Sequence, residues 1–235
     1  MQSYYYGHAQ RFLLVVRSGK LAKLARELVK RVFSNSESYL LRRDLTVPFH
    51  ASKPKQPIEV RPIRDSDLFD ILEARPGRLL ILRANIPTCY LATTASGEIC
   101  YMQWLVGQSD LARFKSFFDG DLNDLGKDEV LLEFAYTFEK FRGQRIMPAA
   151  MAAIAEKGLL SGARYAVTYV QKDNIAALKG CSAAGFSPYM IREERWRIFS
   201  FKESFRSLTD SARFPFQTAD SITAEKTQLA PARSP

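Results

Sequence analysis

The sequence predicts an α/β protein with one mixed central sheet of six to seven strands, flanked by helices and preceded by a basic helical extension. Short runs of β-branched and aromatic residues alternate with segments whose apolar residues recur at helical spacing. The order is strand, helix, β-hairpin, helix, strand, helix, strand, helix and closing strand, which lacks the strict βαβ alternation of a doubly wound fold. A hydrophobic content of 46% over 235 residues is enough for the core of such a sheet.

The first half of the predicted domain holds a strand, a helix, a hairpin and a second helix. The segment IEVRPIR alternates apolar and polar residues as a strand does, and Asp65 after it is a candidate N-cap. Two aromatic and β-branched runs around the turn residues ASGE predict the hairpin. The predicted ranges are a strand at 58–63, a helix from 65, hairpin strands at 88–93 and 99–106, and a charged helix around 109–118.

The second half alternates buried strands with helices. Pro148 is compatible with a helix because it lies in the first turn, where an N–H has no intrahelical partner. Gly185 is a typical C-terminal stop for the next helix. The predicted ranges are a strand at 129–137, a helix from 144 to about 162, a strand at 165–170, a helix from 173 to 185, and one or two closing strands within 189–201.

Positive charge is concentrated at the start of the chain. Residues 1–57 carry 11 lysines and arginines against 3 acidic residues, so they hold +8 of the net charge of +9. Residues 10–33 place leucines at helical spacing beside lysines and arginines, which predicts a basic amphipathic helix. Its leucines can pack on the domain, or it can lie on an anionic membrane surface. Nucleic acid is the weakest interpretation, because no nucleic-acid-binding fold accompanies the charge.

Changes in composition set the predicted domain boundaries. A joint rich in Ser and Asn at 34–38 and a linker with two prolines at 51–57 follow the basic helix. The chain after about residue 205 becomes rich in Ser, Thr, Asp and Pro, which is typical of disorder. The predicted division is a basic helical extension at 1–56, the α/β domain at 57–202 and a disordered tail at 203–235.

The cysteines, histidines and hydropathy exclude several classes of protein. Cys89, Cys100 and Cys181 have no metal or redox spacing, and two histidines are too few for a metal site, so we expect no metal. The longest apolar run near the start is too short for a membrane span or a signal-peptide core. We expect an intracellular, cytoplasmic protein, with a peripheral place at the inner membrane face as the variant that the basic helix suggests.

The strongest candidate for a functional site is the segment between the strand at 129–137 and the helix that follows it. The first turn of a helix presents unpaired N–H groups and a partial positive charge, which together attract an anion. Arg142 adds a charge there, and Gly143 allows close approach of the backbone to a ligand. This pattern alone is equally compatible with a helix that merely begins with basic residues.

A second segment extends the pattern. Asn174 opens a helix, and Gly185 followed by Phe186 closes it. In this order and spacing the chain resembles the GNAT superfamily of CoA-dependent N-acyltransferases over roughly residues 57–200, and in its RIMPAAM segment it resembles bacterial GNAT-like proteins of polysaccharide and lipid pathways. The residues that match the pyrophosphate loop of the family, written Q/R-x-x-G-x-G/A, are Arg142, Gly143, Gln144, Arg145, Ile146 and Met147.

The resemblance implies a donor site for acetyl-CoA or another acyl-CoA. In such folds the strand at 129–137 splays from the strand at 165–170, and the acyl-CoA enters the gap. The N–H groups of Thr137 and Phe138 would bind the thioester carbonyl, and the amides of residues 142–147 would hold the pyrophosphate. Asn174 would bind the pantetheine arm or brace the loop.

The same resemblance points to candidate catalytic groups. Glu133 is the candidate base, because an apolar strand can raise the pKa of a carboxyl towards neutrality; an outward-facing or arginine-paired carboxylate is the alternative. Cys181 stands where the family often has a tyrosine acid, and a small packing residue is the alternative for it. Tyr136 and Tyr189 are other candidate acids, and a chain of waters is a further one.

Two residues depart from the family pattern. Arg145 replaces the first glycine of the loop motif and Met147 replaces its second small residue. Arg145 can pair with a phosphate or obstruct it. The function predicted is therefore acyl transfer to the primary amine of a small molecule, such as an amino sugar or amino acid, from acyl-CoA or from an acyl-carrier protein. The rival is a catalytically silent module with a basic arm that binds lipid or protein.

Overall fold

The computed structural model describes residues 32–75, 81–82, 88–115, 125–198 and 200–208. Within these ranges eight strands form one mixed sheet in the order β2-β3-β4-β5-β6-β1-β7-β8. The strands are β1 Phe33–Asp44, β2 Ile58–Pro62, β3 Cys89–Thr94, β4 Ile99–Val106, β5 Glu129–Thr137, β6 Tyr165–Gln171, β7 Ser187–Arg197 and β8 Ser200–Ser207. The α/β class and the mixed sheet are as predicted, with eight strands in place of six to seven.

Helices cover both faces of the sheet. They are α1 Leu68–Ala74, α2 Gln108–Lys115, α3 Ile146–Glu156 and α4 Ile175–Ala183. One apolar core lies between the sheet and the pair α3 and α4, where Met151 and Leu178 are buried. The other lies on the opposite face, where Ile71 of α1 and Phe114 of α2 pack with Trp104. Each face of the central strands is therefore closed to water, as a sheet of this class requires.

The strand β1 lies in the middle of the sheet, although its residues were predicted to belong to an extension and a polar joint. It pairs antiparallel with β6 on one side and with β7 on the other. Tyr39, Leu40 and Leu41 are buried. The serines before them join the strand because β7 pairs with each of them, and β6 also pairs with Ser38. The predicted boundary at 56/57 thus leaves out a strand that the sheet contains.

The segment 45–57, of which residues 51–57 were predicted as a linker, is tied to the domain along its length. The N–H of Leu45 donates to Arg164 O at 2.8 Å. The ring of Phe49 lies over Gly185, where an added Cβ would come within 2.9 Å of it. The N–H of Lys55 donates to Gln144 O at 2.9 Å. The segment therefore crosses from the end of β1 to the loop that precedes α3.

The connection between β2 and α1 is closed by an ion pair. Both guanidinium nitrogens of Arg61 donate to the carboxylate of Asp67, at 2.7 and 2.8 Å. The N–H of Arg64 donates to the same carboxylate at 2.7 Å. Asp67, rather than the predicted Asp65, is therefore the acidic residue that fixes the start of this helical segment. The Arg61 guanidinium holds the pKa of the Asp67 carboxyl below its ordinary value of 3.8.

Asp67→Asn is expected to lower the free energy of unfolding by about 1–3 kcal/mol at neutral pH, because a charge-assisted pair is lost. A carboxyl with a lowered folded-state pKa stabilises the fold above its unfolded pKa, and this stabilisation is lost as the pH falls through the folded value. Denaturant unfolding at pH 7 and at about pH 2 should therefore show a difference that shrinks in acid. A difference of equal size at both pH values would contradict this assignment.

The closing part of the predicted domain consists of two strands, β7 and β8, and β8 continues past the predicted end at 202 to Ser207. The predicted basic helix at 10–33 falls mostly outside the described residues, as does the predicted tail beyond Leu208. Among the described residues, no helix combines the length and the apolar character needed to cross a membrane.

Candidate active site

The strands β5 and β6 are parallel neighbours that separate partway along the sheet. Their pairing runs from Glu129 with Tyr165 to Leu131 with Val167 and then stops. Beyond it, β5 pairs with β4 alone and β6 with β1 alone. The predicted gap between the two strands is thus present, and it opens towards their carboxyl ends.

A β-bulge bends β5 at the point where the gap opens. Two residues of β5, Phe134 and Ala135, stand opposite the single residue Gln103 of β4. Phe134 has φ 57°, which is rare for a residue with a side chain. An extra residue bends the strand that carries it, so the bulge turns the second half of β5 away from β6.

Glu133 and Tyr169 flank the opening of the gap. Each lies two residues beyond the last parallel pair, so both side chains project from the same face of the sheet, that of Trp104. The Glu133 carboxylate accepts a hydrogen bond from the Phe134 N–H in the bulge at 3.2 Å. Burial, and to a lesser extent the charge of Glu133, raise the pKa of Tyr169. Tyr169 was not among the predicted site residues, because only the strand register brings it opposite Glu133.

The two backbone donors expected at the end of β5 differ in what they can do. The N–H of Phe138 donates to Cys100 O at 3.1 Å, so it is not available for a thioester carbonyl. The hydrogen-bonding direction alternates along an antiparallel ladder, so the N–H of Thr137 is turned away from β4 towards the gap. Thr137 therefore remains the donor that the gap can use.

The N-terminus of α3 adjoins this end of β5. Arg145 is its N-cap residue and makes no side-chain capping bond, and the first turn contains no acidic residue. The N–H groups of Ile146 and Met147 occupy the first two helical positions, which have no intrahelical acceptor, and Pro148 has no N–H to contribute. Within the described residues, this terminus thus keeps the donors and the dipole that suit a phosphate.

Arg145 adopts the left-handed conformation of a glycine, with φ 58° and ψ 23°. Gly143 is also left-handed, with φ 72°. A residue with a Cβ is strained in this region by about 1–2 kcal/mol, so the loop keeps the glycine conformation despite the substitution. The side chains of Arg145 and Arg142 are both exposed, and Arg142 Nε donates to Thr137 O at 3.4 Å. The Arg142 guanidinium therefore lies beside the end of β5, and Arg145 stands exposed at the N-cap of α3.

Two other predicted donor-site residues, Gln144 and Asn174, have structural partners. The side chain of Gln144 donates to Lys140 O at 2.9 Å and accepts from Gln56 Nε2 at 3.1 Å, so it braces the loop. Asn174 Oδ1 accepts from the N–H of Ala177 at 3.2 Å as the N-cap of α4.

Met147 packs against α4. A Cβ on Gly180 would lie 2.5 Å from Met147 Sδ, so the methionine rests directly on that glycine. Gly180 has no side chain, so it leaves room for Met147 at a position where the family pattern has a small residue.

Cys181, a predicted acid, lies in the core. It is 1% exposed and its thiol is 3.8 Å from Met151 Sδ. Burial, with a smaller effect of the Glu133 charge, raises the pKa of Cys181 to about 12. A thiol with this pKa is a weaker proton donor than an ordinary cysteine, whose pKa is about 8.5. These facts favour the packing interpretation of Cys181.

Tyr136, the other predicted acid, lies on the face of β5 that carries Met102. Its ring packs at 5.2 Å from that of Phe138, and the Arg75 guanidinium stacks on it at 4.4 Å. Arg75, Tyr136 and Phe138 line a cavity of about 520 Å³ together with Glu98, Glu139 and Lys140. The cavity lies beside the end of β5 and offers both charged and aromatic groups to a polar molecule. No group of three or more metal-ligating side chains occurs within the described ranges.

Comparisons with known proteins find similarity in structure alone. No protein-family model and no curated protein sequence matches the chain. A GNAT-family acetyltransferase from Colwellia psychrerythraea superposes with a TM-score of 0.50 at 13% identity over 71% of the chain. The GCN5-related glucosamine N-acetyltransferase region of a fungal multi-domain β-N-acetylglucosaminidase superposes with a TM-score of 0.51 at 15% identity over 73% of the chain. A Drosophila protein superposes with a TM-score of 0.51 at 14% identity over 77% of the chain.

These similar structures are longer than the matched region. The chain spans 57% of the Colwellia protein, 22% of the fungal protein and 59% of the Drosophila protein. At such low identity the similarity defines the fold.

Proposed function

Because the chain has the GNAT acyltransferase fold, we propose that it is an acyl-CoA-dependent N-acyltransferase that acylates a primary amine of a small molecule. The observation that carries the proposal is the gap between β5 and β6, which opens at a bulge and ends beside the uncapped N-terminus of α3. A thioester in the gap and a phosphate at the helix would occupy neighbouring parts of one site.

The donor would be held by backbone groups and by two arginines. The N–H groups of Ile146 and Met147 suit the pyrophosphate, because they point out of a helix N-terminus without an acidic neighbour. Arg142 and Arg145 can add charge from the solvent side. Asn174 keeps its amide NH₂ for a polar group of the donor, since its oxygen caps α4.

The chemistry would take place at the opening of the gap. The amine nitrogen bonds to the thioester carbon and the C–S bond breaks. The proton of the amine passes to the Glu133 carboxylate, directly or through water, and the leaving thiolate takes a proton from solvent. The N–H of Thr137 faces the gap and would stabilise the negative oxygen of the tetrahedral intermediate.

The direct test is thiol release from acetyl-CoA and longer acyl-CoAs with a panel of amines that includes amino sugars and amino acids. We expect turnover with at least one pair, and a raised melting temperature with the donor alone. If no acyl-CoA is turned over and none shifts the melting temperature, the proposal is wrong. Turnover with an acylated carrier protein alone would place the donor in that class instead.

Arg145→Gly should raise the free energy of unfolding by about 1 kcal/mol, because glycine adopts φ 58° without strain. Its effect on the Kd for CoA, measured by calorimetry, distinguishes two roles for the side chain. We expect weaker binding, because the exposed guanidinium lies beside the phosphate site. Tighter binding would identify Arg145 as an obstruction.

A catalytically silent module remains the second candidate. Cys181, in the place of the family tyrosine, is buried against Met151, and the Phe138 N–H is already bonded to Cys100 O. Both facts remove groups that the family would use. A silent module predicts no CoA binding by calorimetry, and a measurable Kd for acetyl-CoA would rule it out.

A further inference from the structure

The loop that joins β7 to β8 has an unusual residue at its tip. Arg197 pairs with Ser200, so the two residues 198 and 199 form the whole connection. Loops of this length favour Asn-Gly or Asp-Gly, because they need positive φ angles. Here Ile198 has φ 47°. A β-branched residue in this region is a genuine outlier, and its backbone is strained.

Ile198 gains nothing from burial in return, because its side chain is 81% exposed. Two other exposed apolar residues lie beside it. The N–H of Ile198 donates to Val32 O at 2.8 Å, and Phe33, which follows Val32, is 67% exposed. Neither turn chemistry nor the core of the folded chain therefore accounts for isoleucine at this position. We call Val32, Phe33 and Ile198 the apolar tip.

Exposed cations surround the apolar tip on one face of the sheet. Phe33 and Arg197 are cross-strand partners, with the guanidinium 3.8 Å from the centre of the ring. Arg195 and Lys202 form the next cross-strand pair and are also exposed. In the sequence, Lys30 and Arg31 come directly before Val32. Apolar side chains flanked by lysine and arginine fit an anionic lipid surface. The apolar side chains enter the headgroup layer, and the lysines and arginines are attracted to the negative charge of the lipids.

We propose that the apolar tip, with Arg195, Arg197 and Lys202 around it, is a docking surface for anionic lipid membranes. The surface belongs to the folded sheet and shares only Val32 and Phe33 with the basic segment at 10–33. The register of β1 against β6 places the apolar tip beyond the carboxyl end of β6. The gap between β5 and β6 opens in the same direction. Docking would turn the opening of the gap towards the membrane. The surface itself does not depend on the proposed acyl transfer.

The test is cosedimentation of the full chain with vesicles of phosphatidylcholine, with and without about one third phosphatidylserine. We expect binding to the anionic vesicles. Ile198→Asn should lower the partition coefficient about tenfold, because the apolar contact is lost. Asparagine tolerates positive φ, so this variant should keep or raise the melting temperature, and weaker binding then cannot arise from unfolding.

The matched control is Leu160→Asn. Leu160 is 90% exposed but lies before the start of β6, at the opposite end of the sheet. Its replacement should leave vesicle binding unchanged. Arg197→Gln together with Lys202→Gln should weaken binding to anionic vesicles by more than about tenfold, because each cation near the surface contributes.

Absence of binding to anionic vesicles would overturn the proposal. So would an equal loss of vesicle binding in the Leu160→Asn and Ile198→Asn variants. A third contrary result is a dimer in sedimentation velocity that Ile198→Asn dissociates. The last result would make the tip an interface between two copies of the chain. Binding to nucleic acid that competes with vesicles and needs the cations but not Ile198 would also count against a lipid surface.

Discussion

Glu133→Gln is expected to lower kcat with acetyl-CoA and a good amine acceptor about 100- to 1,000-fold, because the amide cannot take a proton from the amine. The Kd for acyl-CoA should stay within about twofold, since the proposed contacts to the donor phosphates lie at the α3 terminus and not at Glu133. The variant should also lose the acidic limb of the pH profile of kcat/KM, which reports deprotonation of a base in the free enzyme. Steady-state kinetics across pH, with calorimetry for the donor, measures all three.

The control for this experiment is Glu129→Gln. Glu129 lies on the same strand and the same face but within the paired part of β5, and its carboxylate accepts from the Gly126 N–H at 2.9 Å. It should leave kcat within about threefold, because it lies outside the gap. A similar loss of kcat in both variants, or an unchanged pH profile in Glu133→Gln, would remove Glu133 from the role of base.

Arg43→Ala is expected to lower the free energy of unfolding by about 3–4 kcal/mol. The Arg43 side chain is 3% exposed and forms an ion pair with Glu156 at 2.8 Å. It also donates to Ala152 O and Ala184 O, both at 3.4 Å. Arg43 thus ties the central strand β1 to α3 and to the end of α4, where the carbonyl dipoles favour a cation.

The loss should appear as a fall in Tm of about 6–16 °C for a domain of this size. Arg43→Met loses the guanidinium, which lies 4.7 Å from the centre of the Phe49 ring, but keeps an aliphatic stem that fills part of the space, so it should lose less than the alanine variant. Arg164→Ala is the surface control, because its ion pair with Asp44 at 3.2 Å is exposed to solvent and contributes little to stability. Equal losses in the Arg43 and Arg164 variants would contradict a special role for the buried guanidinium.

Elements with a strong local pattern were predicted well. The strand 129–137 matches β5 residue for residue, and the hairpin and the helices after β5 and β6 are present within a few residues. Their apolar periodicity, turn residues and caps are properties of neighbouring residues, so they are visible without the fold. The gap beside β5 was expected from the family resemblance, and the register of β5 and β6 confirms it.

Elements whose stability comes from distant partners were not predicted. The serines of β1 favour a joint when read locally, yet β7 pairs with each of them and β6 pairs with Ser38. The placement of Tyr169 opposite Glu133 depends on where parallel pairing stops. The role of Gly180 depends on Met147, which lies on a different helix.

The sequence by itself determined the α/β class, the phosphate-binding pattern before α3 and the concentration of positive charge at the start of the chain. These follow from short-range periodicity and composition. Only the tertiary structure decided that β1 lies in the middle of the sheet, that Arg145 keeps a glycine conformation and that Ile198 stands strained and exposed at a basic edge. Each of these depends on backbone angles or on pairing between distant segments, which are set when the whole sheet closes.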